Sequence, residues 1–197
     1  MRQRRGRSPF YDPFRSLIRA SAHLIYSTGQ PQGTAAVPDD ARILENMVTL
    51  TNNYVARTHY RASMFASLFL GVLSPATGSL IYVNGGHESP QILGPNGAKA
   101  NLEPTGPVVG LFPDMDFKIL QAHLEPGDTL YAFTDGVVDA QNSAGEMFGR
   151  ETLHALLTDP VVSASALLDL IESALNSHVA GANQYDDITM LGVRRLA

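Results

Sequence analysis

The sequence predicts an α+β fold in which helices and strands fall in separate runs. Three observations predict it. The N-terminal third carries apolar residues at helical spacing. The middle is dense in short apolar runs broken by Gly and Pro. Helical spacing then returns twice before one last strand. Segregated runs of this kind argue against the alternating order of a parallel, doubly wound sheet.

The elements follow in order. Phe14, Leu17, Ile18, Ser21, Leu24 and Ile25 place an amphipathic helix over roughly 12–28, and Gly29-Gln30-Pro31 stops it. A Gly/Pro/Thr-rich loop fills 29–38. Asp39 and Asp40 favour a new helix start, because carboxylates complement the positive end of the helix dipole. Ile43, Leu44, Met47, Val48, Leu50, Tyr54 and Val55 carry that helix to about Arg57. Phe65 to Leu73 then reads as a strand, Pro75-Ala76-Thr77-Gly78 as a turn, and Leu80 to Val83 as the returning strand of a hairpin. Short strands are expected near 90–93, 117–123 and 129–134. Leu153, Leu156 and Leu157, then Leu167, Leu168, Ile171 and Leu175, mark two helices, and Ile188 to Val193 a last strand. No internal repeat or clear domain boundary interrupts residues 12–197; residues 1–11 read as a basic tail.

Composition narrows the function. The 197 residues suit one core. The chain has no cysteine, which removes disulfides, thiolate nucleophiles and cysteine-ligated zinc. No apolar run reaches the roughly 20 residues of a membrane helix, and no short apolar segment follows the basic start as a secretory signal requires. The chain is read as cytoplasmic. Its net charge of −5 hides an asymmetry, since Arg2, Arg4, Arg5 and Arg7 stand in the tail. Without them, ten basic residues face 19 acids, a balance of −9. An acidic body of this kind is a poor partner for nucleic acid, and the tail reads as a solvated basic arm.

Two acidic spots are placed for chemistry. Asp135, in Thr134-Asp135-Gly136, directly follows the strand ending Ala132-Phe133. Asp186 and Asp187 directly precede Ile188-Thr189-Met190-Leu191. If these strands are antiparallel neighbours, the end of the first lies beside the start of the second. The carboxylates would share one rim and repel one another until a cation neutralised them. Oxygen ligands without Cys or clustered His suit Mg²⁺ or Mn²⁺. Alone, each spot reads as an ordinary turn or solvated loop. His87, in Gly85-Gly86-His87, is either a turn histidine or a catalytic base. No zinc-protease motif, nucleophile elbow or Walker lysine occurs. Gly145-Glu146-Met147-Phe148-Gly149 reads as a turn with an apolar anchor.

Five segments in register resemble the SpoIIE/RsbU branch of the PPM-type, protein phosphatase 2C-like serine/threonine phosphatases. They are Met64 to Leu68, Leu80 to Pro90, Leu124 to Ala140, Gly145 to Gly149 and Asp186 to Leu191; the resemblance spans roughly 12–195. It implies a sandwich of two antiparallel sheets flanked by helices. It implies hydrolysis of a phosphoserine or phosphothreonine ester with two divalent ions, Mn²⁺ or Mg²⁺, holding the attacking water. By the same carry-over Asp135 and Asp186 are metal ligands, and Gly136 and Asp187 stand behind them; no catalytic residue is assigned beyond the metal ligands. The implied partner is a phosphorylated regulatory protein such as an anti-sigma-factor antagonist, with neither nucleic acid nor membrane.

The family also places an aspartate-bearing, glycine-rich segment ahead of the first long helix. Nothing similar stands upstream of residue 12, where Asp12 beside Pro13 reads as a helix cap. The chain is therefore expected to lack the first strands, to turn over phosphoesters slowly, and to pair as a homodimer or aggregate through an uncovered edge. Two other readings compete: a phosphatase-like binding module without catalysis, and an unrelated α+β enzyme with His87 as base.

Overall fold

A computed structural model of the chain describes residues 18–19, 39–58 and 64–196, with the exception of 159, 161 and 185. The basic tail, the 29–38 loop and Asp12 lie outside these residues. So does the helix expected over 12–28, except Ile18 and Arg19, which are helical.

Helix α1 (Asp39–Thr58) matches the expected bounds. Its core stripe is Ala41, Leu44, Val48 and Val55, three to four residues apart or multiples of that, which places them on one face. Leu50 and Tyr54, expected in the same stripe, are 59% and 51% exposed. They stand one residue short of Thr51 and Val55, about 100° around the helix from the buried row.

Seven strands follow: β1 (Leu68–Leu73), β2 (Ser79–Gly85), β3 (Gln91–Gly94), β4 (Gly97–Asn101), β5 (Leu120–His123), β6 (Thr129–Phe133) and β7 (Met190–Arg194). They form a three-stranded sheet, β1-β2-β5, and a four-stranded sheet, β4-β3-β6-β7. Pairing in the second is antiparallel throughout. Strand β4 was not expected. Gly-Ala-Lys-Ala-Asn has neither the β-branched nor the aromatic residues that mark a strand. It forms because Pro95 and Asn96 turn the chain between the paired Gly94 and Gly97, with Gly97 at φ +99°. Two antiparallel-strand assemblies with helices beside them are the α+β architecture the sequence predicts.

The described chain gathers into two compact units. The first takes the residues up to Val72 with Ile81–His87 and Pro104–Gln121. Its core sets the α1 stripe against Ile81 and Val83 of β2, with Met64, Val109 and Phe117. Four polar residues, Thr51, Asn52, Asn84 and Thr105, are buried within it. Asn52, fully buried, accepts from the Gly110 amide at 2.8 Å and donates to the Phe112 carbonyl at 2.9 Å.

The second unit takes Leu73–Leu80, Glu88–Glu103 and Ala122 onward. Its core joins Leu93, Tyr131 and Phe133 of the sheet to helices α2 (Gly149–Leu156) and α3 (Ala164–Val179) through Leu153, Leu167, Ile171 and Leu175. The last three stand four residues apart, the spacing of one helix face. Ser163 caps α3 by accepting from the Ala166 amide at 3.0 Å. All five residues of β6 are buried, so it is a two-sided core strand, and its C-terminal end is fixed in place for the acidic loop that follows. No helix among the described residues is long and apolar enough to cross a membrane.

Candidate metal centre

Strands β6 and β7 pair antiparallel with Phe133 opposite Met190 and Ala132 opposite Leu191. The end of β6 therefore lies beside the start of β7, as the sequence required for a shared rim. The pairing continues past both strands, where the Thr134 amide donates to the Thr189 carbonyl at 3.0 Å. The chain then enters a single 3-10 turn, Asp135–Val137. The Thr134 hydroxyl accepts from the Thr189 amide at 2.9 Å and donates to the Asp187 carbonyl at 3.0 Å. Residues 134–136 thus run alongside 187–189.

Gly136 backs onto the same carbonyl. A Cβ on it would meet the Asp187 oxygen at 2.5 Å, closer than real side chains come. The Asp-Gly sequence is a packing requirement here, and Gly136 and Asp187 meet at this carbonyl.

The acidic side chains share one local pattern. One oxygen of Asp135, Oδ1, accepts from the Gly136 amide at 3.0 Å. Oδ1 of Asp186 accepts from the Asp187 amide at 2.7 Å, and the Asp186 carbonyl accepts from Gln184 Nε2 at 2.8 Å. Asp135, Asp186 and Asp187 are all exposed. Each of the first two carboxylates is oriented by a backbone donor through one oxygen and belongs to an exposed residue. Anionic oxygen donors with no sulfur or imidazole among them fit a hard divalent cation. The fit is partial: among the described residues no group of three or more His, Cys, Asp or Glu is placed to hold a metal. The rest of a coordination shell would come from water, from substrate or from residues beyond those described.

The other candidates take structural places. The His87 amide donates to Oδ1 of the buried Asn84 at 2.8 Å, directly after Gly86 at φ +69°. Asn84 is held in turn by Thr105, whose Oγ1 accepts from its amide at 3.1 Å. His87 is thus a half-buried turn residue. In 145–149 the turn is wound on Asn142, whose Oδ1 accepts from the Ala144 and Glu146 amides at 2.9 and 3.0 Å. Phe148, 3% exposed, is its anchor. Sequence reasoning passed over Thr134, although a threonine between a strand end and an Asp-Gly turn was a visible signal.

Residues 14–196 match the model of the family described as Stage II sporulation protein E (SpoIIE). Protein IcfG of Synechocystis sp. (strain ATCC 27184 / PCC 6803 / Kazusa) is 43% identical over 150 residues, 76% of this chain and 24% of that protein. Phosphoserine phosphatase RsbU of Bacillus subtilis (strain 168) is 26% identical over 158 residues, 79% of this chain and 45% of that protein. The chain thus spans less than half the length of either relative. Among solved structures, the SiaA-PP2C domain of Pseudomonas aeruginosa superposes with a TM-score of 0.68 at 21% identity, covering 92% of this chain and 69% of that one. The catalytic domain of serine threonine protein phosphatase PstP, solved in complex with two manganese ions, gives 0.62 at 15%, covering 94% and 82%. At these identities the two structures speak for the fold, and the α+β reading agrees with them.

Proposed function

The chain belongs to the Stage II sporulation protein E (SpoIIE) family of PPM-type, protein phosphatase 2C-like domains, and from that premise we propose that it hydrolyses phosphoserine or phosphothreonine on a regulatory protein. The observation that carries the proposal is the antiparallel pairing of β6 with β7, in which the strand end that Asp135 follows lies beside the strand start that Asp186 precedes. Residues 12–197 then act as one phosphatase domain, working in the cytoplasm on a partner such as an anti-sigma-factor antagonist. The description of RsbU as a phosphoserine phosphatase supports the substrate class.

In this reading Asp135 and Asp186 would hold the metal through carboxylate oxygens. The Gly136 and Asp187 amides orient those carboxylates. A bound Mn²⁺ or Mg²⁺ would supply charge neutralisation and a lowered pKa for an attacking water. Water adds to phosphorus, the P–O bond to the serine or threonine oxygen breaks, and that oxygen leaves with a proton as the free hydroxyl. Asp135 and Asp186 are exposed among the described residues, which suits a substrate that is itself a folded protein.

A second reading, a phosphatase-like module that binds a phosphorylated partner without turnover, is favoured by one observation. Two carboxylates alone make an incomplete metal shell among the described residues. Phosphate release from a phosphoserine peptide, with Mn²⁺ and with chelator, separates the two. Metal-dependent release supports the phosphatase. Binding of the phosphopeptide with no release under either condition supports the module.

A further inference from the structure

We propose that Thr134 is a positioning residue for the metal site: its hydroxyl clasps the 187–189 segment to the end of β6 and so sets the spacing between Asp135 and Asp186. The inference rests on the metal-site reading above and goes beyond it, because Thr134 has no ligand role of its own.

Thr134 stands at the N-cap of the 3-10 turn, with φ −84° and ψ 156°. A threonine there ordinarily turns its hydroxyl inward to cap the amides of the turn it opens. This one makes no such cap. It spends both its accepting and its donating capacity across the strands, on the Thr189 amide and the Asp187 carbonyl. With the backbone bond to the Thr189 carbonyl, one residue makes three hydrogen bonds to a three-residue segment.

The placement of these bonds bears on the carboxylates. Thr134 and Gly136 flank Asp135 in the chain, and both meet one atom, the Asp187 carbonyl oxygen. Thr134 bonds to it at 3.0 Å, and Gly136 packs so close that a Cβ would lie 2.5 Å away. That carbonyl is one residue from Asp186. Asp135 is thereby bracketed by two contacts to the segment that carries its proposed co-ligand. Metal ligands on two separate loops need such support to hold their spacing, and outer partners of this kind typically tune affinity.

The test is Mn²⁺ titration calorimetry on the full chain, paired with hydrogen exchange at the Thr189 amide. Thr134→Val keeps the shape and removes both hydroxyl bonds. It should weaken Mn²⁺ binding by about 10–100-fold and speed exchange at Thr189. Thr134→Ser, which restores the hydroxyl, should recover most of both. Gly136→Ala displaces the same carbonyl, the hydroxyl's acceptor, with the Thr134 side chain itself unchanged, and should also weaken binding. Unchanged Mn²⁺ affinity in Gly136→Ala overturns the clasp whatever becomes of the valine variant. Unchanged affinity in Thr134→Val, alongside loss of binding in Asp135→Asn, overturns the clasp and leaves the metal site standing. If Asp135→Asn and Asp186→Asn bind Mn²⁺ as the parent does, or the parent binds none, the metal-site reading falls and the clasp with it.

Discussion

The ammonium of Lys99, on the edge strand β4, lies 2.6 Å from a carboxylate oxygen of Asp128, a side chain only 1% exposed. The same oxygen accepts from the Glu125 amide at 2.9 Å. The other, Oδ1, has no hydrogen-bond partner among the described residues and faces the position a Cβ on Gly94 would take, 3.2 Å away. Asp128 closes the turn that leads into β6, so this ion pair ties an edge strand to the entrance of the strand that carries Asp135.

Removing Lys99 strands a buried carboxylate, whereas removing both partners does not. Lys99→Met is expected to cost about 1–3 kcal/mol in urea unfolding. The Coulomb part is small, because the lysine side chain is 43% exposed and solvent screens it. Adding Asp128→Asn to Lys99→Met should cost less than the two single losses summed, since the stranded charge is gone. Strict additivity in the cycle would show that the two side chains do not interact.

Tyr131 poses the opposite case, a buried polar atom with nothing to pair with. It is fully buried, stacked on Phe133 with ring centroids 5.3 Å apart, and its hydroxyl has no partner among the described residues. Tyr131→Phe should therefore be neutral or stabilising, by up to about 1 kcal/mol. Burial also pushes the phenol's pKa up from its ordinary value. A raised folded pKa gives stability that is complete below the unfolded value, near pH 10, and lost as pH rises from there toward the folded value. Over that alkaline window the parent should lose up to about 1.4 kcal/mol per pH unit through this group. The phenylalanine variant should lack that component. Parallel alkaline unfolding curves for the two proteins would contradict it.

Much of this was legible beforehand. Leu130-Tyr131-Ala132-Phe133 is a short apolar run between turn residues, which reads as a strand. The acidic residues at its end and before Ile188 then pointed to one rim. The illegible parts have physical causes. Strand β4 owes its place to a Pro95-Asn96 turn and to its neighbour β3, while its own residues are poor strand formers. Leu50 and Tyr54 are apolar in type but lie off the buried stripe of α1, and composition cannot tell a core face from a solvent face. The use of the Thr134 hydroxyl depends on which strand lies opposite, a relation between residues 53 and 55 positions apart.

Asn52 was equally invisible, and it should be expensive to replace. It sits in the middle of α1, fully buried, and serves both the Gly110 amide and the Phe112 carbonyl. Alanine would leave the buried Gly110 amide without its partner. Asn52→Ala is expected to destabilise by about 2–4 kcal/mol, the cost of unmet buried polar groups, with the urea m-value unchanged. Asn52→Asp keeps the acceptor for Gly110 but loses the donor to Phe112, and it buries a charge that its site does not neutralise. It should be no better than alanine. A loss below about 0.5 kcal/mol for alanine, the range of ordinary surface changes, would mean that the 110–112 loop does not depend on this side chain.

The two adjacent aspartates before β7 should separate cleanly in function. Asp186 is exposed, with its carboxylate oriented by the Asp187 amide. Asp187 contributes its main chain: its amide orients Asp186, and its carbonyl receives Thr134 and packs on Gly136. An asparagine at 187 leaves those main-chain contacts in place, whereas an asparagine at 186 removes the charge from the proposed ligand. Asp186→Asn is therefore expected to lower Mn²⁺-dependent turnover of a phosphoserine peptide on the order of a hundredfold or more, as loss of a ligand misplaces the reacting groups. Asp187→Asn should change it by less than about tenfold, which is under 1.4 kcal/mol of barrier. Raising Mn²⁺ should recover part of the activity of Asp186→Asn if weakened binding is the cause. Equal losses in the two variants, with no response to added Mn²⁺ in either, would assign both side chains to holding the loop and leave Asp135 without its co-ligand.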